Sequence, residues 1–158
     1  MPIMNLTYPE GTFTPDQRAK LADQLTTALL HAERAPDTEF FRNITWLYIH
    51  ELPEGNLLAA GRPVDKPTFR LDVTTPEGAL SERRRAEMVE EATKIIRDAA
   101  GLDDEDLLRI WVLMHEQPEG QWGAGGQIVQ FKQLVEAAKA EREQEGEAVS
   151  ALAPAPSA

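Results

Sequence analysis

The chain contains no cysteine among its 158 residues. Disulfide bonds, thiolate metal sites and cysteine nucleophiles are therefore excluded. Histidine occurs only at positions 31, 50 and 115, which are too few and too scattered for a zinc site. No stretch approaches the ~20 consecutive apolar residues that a transmembrane helix needs. These absences remove most metal, redox and membrane functions from consideration.

Basic residues are also scarce, since 16 Lys and Arg stand against 27 Asp and Glu, for a formal net charge of −11 at pH 7. Nucleic acids and anionic membranes attract clustered Lys and Arg, so we expect neither as a partner. An anionic ligand would need a local cationic pocket on this acidic chain. The first residues show no basic region followed by an apolar stretch, so we expect a cytoplasmic protein.

The chain begins Met1-Pro2, followed by an alternating strand pattern over residues 3–8 and a Pro-Glu-Gly turn over residues 9–11. Removal of Met1 would leave Pro2 with a free secondary amine. Such an amine is a base or nucleophile if its surroundings keep it neutral near pH 7. The alternative is an ordinary Met-Pro start without a function.

The sequence repeats itself. The segment that starts at His50 and the segment that starts at His115 are identical at 8 of 15 positions, at a constant offset of 65. Ordinary composition would give roughly one chance match. The same offset pairs Pro2 with Pro67, which predicts duplication of a unit of about 60 residues. The predicted repeats are residues 2–64 and 67–129 of a single domain.

Each repeat shows the pattern of a strand, a helix and a second strand. The first helix has Thr14 as its predicted N-cap, Pro15 at its first position and Gln17 completing a capping box. In the second repeat Ser81 is the predicted N-cap, and Gly101 ends the helix. The second strands, predicted over residues 45–51 and 109–116, are rich in aromatic and β-branched side chains.

A helix between two strands favours a right-handed β-α-β crossover with parallel strands. Two such units predict an α/β (α+β) fold with a four-stranded, mainly parallel sheet and two helices on one face. We expect other copies of the chain to cover the opposite face, which mixes polar and apolar residues. A third helix is predicted over residues 130–144, followed by a disordered tail over residues 145–158.

Three features together resemble the tautomerase superfamily, typified by 4-oxalocrotonate tautomerase. They are the Met1-Pro2 start, the repeat, and the turn Gly123-Ala124-Gly125-Gly126 after Trp122. The doubled length resembles the fused branch, which includes cis-3-chloroacrylic acid dehalogenase, malonate semialdehyde decarboxylase and macrophage migration inhibitory factor. The resemblance covers residues 2–130 and implies a homotrimer in which Pro2, freed from Met1, is the catalytic base.

The resemblance implies keto–enol or 1,3-allylic isomerisation of an unsaturated or enolisable 2-oxo acid. A neutral Pro2 amine can take a proton from a carbon beside a carbonyl and return it elsewhere, with neither metal nor cofactor. Burial and a nearby guanidinium would both lower the pKa of the amine. Pro67 lies in a mid-chain amide and cannot act as a base.

The arginines with which the family usually binds a substrate carboxylate are absent. Their places are taken by Thr12, Phe13, Ala79 and Leu80 after the two Glu-Gly turns, and by Trp46 and Trp111 in the second strands. Ala124 stands where the dehalogenases have a water-activating Glu, so dehalogenation and hydration are not favoured.

Other residues are therefore candidates for substrate binding. They are Ile3, Arg62, Arg70, Arg109, Trp111 and Trp122. We expect Arg70 to bind a carboxylate; the alternative is an interface salt bridge with Asp72 or with a neighbour's carboxylate. The two tryptophans could wall the substrate or serve as core or trimer contacts.

Two alternatives to the isomerase remain open. One is decarboxylation or hydration of a small oxo acid through the same Pro2, and Asp37 and Glu39 fall near the position where the decarboxylase keeps an Asp. The other is a trimer that has lost catalysis and serves binding, which the absent arginines motivate.

Overall fold

The computed structural model describes the backbone of residues 2–152 and the side chains of residues 2–144. In chain order the elements are β1 (Ile3–Pro9), α1 (Pro15–Glu33), α2 (Glu39–Asn43), β2 (Trp46–Leu52), β3 (Leu58–Ala59), β4 (Arg62–Pro63), β5 (Phe69–Pro76), α3 (Glu82–Ala100), a 3-10 helix (Asp104–Arg109), β6 (Ile110–Gln117), β7 (Gly123–Ala124), β8 (Gln127–Ile128) and α4 (Phe131–Leu152). No helix in residues 2–152 is long and apolar enough to cross a membrane.

A four-stranded sheet in the order β2-β1-β5-β6 forms the centre of the fold. The two outer pairs are parallel, because each is joined by a helical crossover, and the central pair β1–β5 is antiparallel. Helices α1 and α3 pack against each other and against one face of the sheet. The predicted fold class is thereby confirmed.

The two long helices begin as the sequence predicts. The Gln17 backbone N–H donates to Thr14 Oγ1 at 3.2 Å, and the Thr14 N–H donates to the Gln17 side chain at 2.9 Å. Ser81 caps α3 in the same way, and Gly101 ends it in the left-handed conformation at φ 63°. The equivalent end of α1 is Arg34, at φ 56°.

The core lies between the sheet and the two helices. Met4, Leu6 and Tyr8 of β1 alternate inward and are fully buried. Tyr8 packs edge-on against Phe13, with ring centroids 4.9 Å apart. The other sheet face is open, and its largest exposed side chains are Trp111 at 63% and Trp46 at 55%.

A short hairpin follows each outer strand of the sheet. Strands β3 and β4 form one hairpin, and β7 and β8 form the other. The second hairpin turns at Gly125 and Gly126, whose φ values of 58° and 79° suit a two-residue turn that favours glycine. The Gly-rich motif of the sequence is therefore the tip of a hairpin.

Helix α4 is longer than the sequence indicated. It runs to Leu152, whereas a disordered tail was predicted from residue 145. The prediction was wrong over residues 145–152, where half of the residues are Glu or Ala, which are good helix formers. Residues 153–158, also part of the predicted tail, lie outside the described residues. Ala138 of α4 packs on Leu30 and Phe41, which brings the helix beside the start of β1.

Candidate active site

Pro2 lies directly before β1 and is buried. Its carbonyl accepts a hydrogen bond from the Trp46 N–H at 3.2 Å, which fixes the start of β1 against β2. The ring lines a cavity of about 340 Å³. Pro2 is therefore removed from bulk water.

One side of this cavity is apolar. Phe41 of α2 and Leu134 and Ala138 of α4 supply its wall, and Ala79 after β5 continues it. The C-terminal helix is thus part of the Pro2 cavity, a contribution that the sequence alone did not suggest.

The charged residues of the cavity are mostly cationic. Four basic side chains and one carboxylate line it, namely Arg34, Arg84, Lys139, Arg142 and Glu33. The chain as a whole carries a net charge of −11. The positive cluster around Pro2 is therefore a local exception, of the kind that an anionic ligand requires.

Arg84 is held in the cavity by two side-chain hydrogen bonds. Its Nη1 donates to the carbonyl of Ala32 at 2.9 Å, and its Nε donates to Ser81 Oγ at 3.4 Å. Among the described residues its Nη2 has no hydrogen-bond partner. A guanidinium held at one edge and open at the other suits a carboxylate ligand.

Glu33, the last residue of α1, is in an unusual place for a carboxylate. Burial raises its pKa to about 7, although the N-terminal ammonium and Arg84 act in the opposite direction. The negative end of the α1 dipole also disfavours a charged carboxylate here. Within the described part of the chain its side chain takes part in no ion pair. Glu33 is thus a carboxyl group that titrates near neutral pH beside Pro2.

Arg34 links the end of α1 to α4. Its backbone is left-handed, a conformation that costs a non-glycine residue on the order of 1 kcal/mol. Its carbonyl accepts a hydrogen bond from the Arg142 guanidinium. This contact and the packing of Ala138 close the cavity on the side of α4.

Two of the predicted site residues, Ile3 and Trp122, lie together on the open face. They line a second cavity of about 370 Å³ with Asn5 and Thr74. Ile3 follows Pro2 in the chain, but its side chain points to the opposite face of the sheet. The structure therefore brings these two together, apart from the Pro2 cavity.

Arg70 and Trp111 lie far from Pro2 within the protomer. The register pairs Arg70 with Thr7 and with Trp111, near the far end of β1. Continued to Pro2, this register places Arg70 five positions away along β5, or about 16 Å. The expected closeness of Arg70 to Pro2 is thus not found in one chain, because the two repeats pair antiparallel. Its role as a carboxylate ligand stays a prediction.

Arg70 forms the salt bridge with Asp72 that was predicted as the alternative to carboxylate binding. Its Nε lies 2.8 Å from Asp72 Oδ2, and His115 Nε2 lies 2.9 Å from Asp72 Oδ1. Burial alone would raise the pKa of Asp72, but the hydrogen bonds from Arg70 and His115 keep that pKa below its ordinary value.

The two other predicted arginines also lie away from Pro2. Arg109 pairs with Asp65 at 2.9 Å and with Asp106 at 3.1 Å, a contact set that ties the 3-10 helix to the loop before β5. Arg62 is exposed in the first hairpin and does not line the Pro2 cavity. Neither shares a cavity with Pro2.

Asp37 and Glu39 lie outside the Pro2 cavity, and their contacts serve the fold. Asp37 accepts a hydrogen bond from Arg42 Nη2 at 2.9 Å, and the hydrogen bonds from Arg42 lower its pKa. Glu39 is exposed in the first turn of α2. Across the described residues no three His, Asp or Glu side chains are placed to hold a metal ion.

Sequence reasoning missed Glu33, Arg84 and the cations of α4. The sequence contained an indication that could have identified Glu33 and Arg84. Arg84 belongs to a basic triplet in the first turn of α3, and Glu33 is acidic in the last turn of α1. Each lies at the helix end whose dipole disfavours its charge, so neither is explained by helix stability.

The family model for the tautomerase enzyme matches residues 71–132. A member of the cis-3-chloroacrylic acid dehalogenase family is 19% identical with a TM-score of 0.70, over 92% of this chain and 99% of its own. Pt0534, solved after inactivation by 2-oxo-3-pentynoate, is 20% identical with a TM-score of 0.69, over 84% and 98% of the two chains. A fused 4-OT, solved as an asymmetric trimer, is 20% identical with a TM-score of 0.67, over 80% and 94%.

No curated protein matches the sequence. The family match and the likeness to solved folds confirm the predicted resemblance to the tautomerase superfamily.

Proposed function

Because residues 71–132 match the tautomerase family and the fold of fused 4-OT extends over 80% of the chain, we propose that this protein is a proline-based isomerase. It interconverts keto and enol, or allylic, forms of a 2-oxo acid. One observation carries the proposal: Pro2 is buried in a cavity that four basic side chains surround on an acidic chain.

Pro2 acts as the general base once Met1 has been removed. Burial disfavours the charged form of its amine, and the neighbouring guanidinium groups disfavour it further, so the pKa of the amine falls toward neutrality. The neutral amine takes a proton from the carbon beside the 2-oxo group and later returns it. This chemistry requires neither a metal nor a cofactor.

Arg84 binds the carboxylate of the substrate, and the wall of Phe41, Leu134 and Ala138 takes the rest of the molecule. An apolar wall suits an aryl or alkenyl group better than a second carboxylate, since an unpaired buried charge is costly. Phenylenolpyruvate should therefore be a better substrate than the dianion 2-hydroxymuconate.

The protein assembles as a homotrimer through the open face of the sheet. The fused 4-OT structures are trimers, and this face exposes Trp46 and Trp111 at 55% and 63%. Exposed aromatic patches of this kind usually mark protein interfaces. Sedimentation equilibrium should give three times the chain mass of 17.6 kDa, and a monomer at micromolar concentration would contradict the trimer.

The function is tested by ketonisation of phenylenolpyruvate with protein that intact mass shows to have lost Met1. Pro2→Ala should reduce kcat by roughly 10²- to 10⁴-fold, the usual contribution of a general base. Pro67→Ala is the matched control, because Pro67 has the equivalent place in the other repeat but no free amine; it should retain wild-type activity. Equal activity of Pro2→Ala and wild type would overturn the proposal.

A further inference from the structure

Glu33 has no role in the function described so far. We propose that Glu33 is a second catalytic residue, which exchanges a proton with the C2 oxygen of the substrate while Pro2 exchanges one with C3. This inference rests on the proposed function and deepens it.

The placement of Glu33 is the first support. Glu33 and Pro2 line the same cavity of about 340 Å³ but come from different elements, the end of α1 and the start of β1. The hydrogen bond from Arg84 to the Ala32 carbonyl holds the last turn of α1. A substrate whose carboxylate is bound by Arg84 would therefore have the rest of the molecule in the cavity that Pro2 and Glu33 share.

The surroundings of Glu33 are the second support. The charged groups that share its cavity are Arg34, Arg84, Lys139 and Arg142, and of these Arg84 acts on it together with the N-terminal amine. Burial raises the pKa of Glu33 to about 7, and the opposing charges of the N-terminus and Arg84 do not offset it. Both the acid and the carboxylate are consequently populated near neutral pH, which suits a proton donor and acceptor.

The other repeat shows that the fold does not need a carboxyl group here. Helices α1 and α3 have 19 residues each, and alignment of their N-caps pairs Glu33 with Ala100. Ala100 lies at the same helical position and ends a helix that is equally well formed. Glu33 is therefore a property of the Pro2 half, not of the repeated architecture.

The proton balance is complete in either direction. In enolisation the Pro2 nitrogen takes a proton from C3, the C3–H electrons form the C2=C3 bond, and the carbonyl oxygen takes the proton of the Glu33 carboxyl. The result is the enol, a Pro2 ammonium and a Glu33 carboxylate. Ketonisation runs these transfers in reverse, and a proton passing between Pro2 and Glu33 restores the enzyme after each turnover.

The decisive measurement is the pH dependence of phenylenolpyruvate ketonisation for wild type and Glu33→Gln. The wild-type reaction requires a Pro2 ammonium and a Glu33 carboxylate, so its rate should fall on both sides of an optimum. Glu33→Gln should lose the acid limb, keep the basic limb, and have kcat reduced about 10²-fold or more. An acid limb that persists in Glu33→Gln would overturn the proposal, even if kcat fell.

Two variants separate chemistry from packing. Glu33→Asp retains a carboxyl group and should retain an acid limb, whatever its rate. Glu39→Gln removes an exposed carboxylate outside the cavity and should leave the whole profile unchanged.

A titration of the ¹⁵N-labelled Pro2 nitrogen by NMR gives a test that needs no turnover. Removing a neighbouring carboxylate makes the ammonium less favourable, so Glu33→Gln should lower the pKa of the Pro2 amine. An unchanged titration would show that the two groups do not interact and would overturn the proposal.

If Pro2→Ala leaves ketonisation intact, the proposed function fails instead, so the two failures are distinguishable.

Discussion

Pro2 and Pro67 have equivalent places in the two repeats, and their surroundings differ. Pro2 is buried in a cavity of about 340 Å³ beside Gly78, in the turn of the second repeat. Pro67 is half-buried in a cavity of about 260 Å³ beside Gly11, in the turn of the first. Each proline thus meets the Pro-Glu-Gly turn of the other half. The duplicated backbone builds both places, and the side chains distinguish them.

What the two halves share serves the fold. Arg18 of α1 pairs with Glu51 of β2 at 2.6 Å, and Arg85 of α3 pairs with Glu116 of β6 at 3.2 Å. These pairs occupy equivalent places and join each helix to the second strand of its own repeat. Both halves therefore keep the same contact between the helix and the second strand.

What the halves do not share lies around Pro2. With the helix N-caps aligned, the Pro2 half has Glu33 and Arg34 where α3 ends with Ala100 and Gly101. Arg84 of α3 reaches the Pro2 cavity, whereas its counterpart Gln17 is used in the capping box of α1. Glu33, Arg34 and Arg84 therefore have no charged counterpart in the other half, which favours a chemical over a structural role for this cluster.

Apart from Pro2→Ala and Glu33→Gln, the largest effect should come from Arg84, with its neighbour Arg85 as the comparison. Arg84→Ala removes the proposed carboxylate ligand and should reduce kcat/KM for phenylenolpyruvate about 10²-fold, since charge-assisted pairs contribute 1.5–3 kcal/mol. Arg85→Ala removes the ion pair with Glu116 and should leave kcat/KM within about threefold, because exposed ion pairs contribute little. Steady-state kinetics of the two variants provides the comparison.

Equal losses in the two variants would mean that Arg84 acts only through the stability of α3. Thermal unfolding of both variants controls for that outcome. Arg84→Lys keeps a positive charge but lacks the bidentate geometry of a guanidinium. Its affinity for the substrate should therefore lie between those of Arg84→Ala and wild type.

Local patterns explain why much of this molecule was predictable. Thr14, Gln17 and Ser81 define helix starts through contacts within four residues, and the alternation of β1 fixes which side chains face the core. These features depend on the chain near them, so the sequence carries them directly.

Pairing between distant segments was not predictable in the same way. The antiparallel register of β1 and β5 places Arg70 far from Pro2. No residue in either strand indicates that register from the sequence. The docking of α4 on Leu30 and Phe41 likewise depends on surfaces that exist only after folding. The role of Pro2 as the base therefore stays a prediction, and the cations that line its cavity had to be found in the structure.

The pH dependence of stability should differ between the wild-type protein and the Glu33→Gln variant. The folded-state pKa of about 7 lies above the ordinary value of 4.5, so the native state holds this proton more tightly. The stabilising contribution is complete below pH 4.5 and is lost as the pH rises through 7. Glu33→Gln does not ionise and should escape this loss.

Urea unfolding of wild type and Glu33→Gln at several pH values measures the difference. The two proteins should be about equally stable at pH 4, and Glu33→Gln should be more stable by about 1–2 kcal/mol at pH 8, with allowance for partial solvent screening. A difference that does not change with pH would show that the Glu33 carboxyl is solvated as in the unfolded chain.

The smallest effect should come from the residues that end the two helices. Arg34 and Gly101 both adopt the left-handed conformation, at φ 56° and φ 63°, and only glycine does so without steric cost. Arg34→Gly should therefore stabilise the protein by about 0.5–1 kcal/mol, and Gly101→Arg should destabilise it by about 1 kcal/mol. Denaturant unfolding at constant pH gives both values. If Arg34→Gly is destabilising, the contacts of the Arg34 side chain outweigh the backbone cost. Arg34 would then be explained by the stability of the fold rather than by a function at the Pro2 cavity.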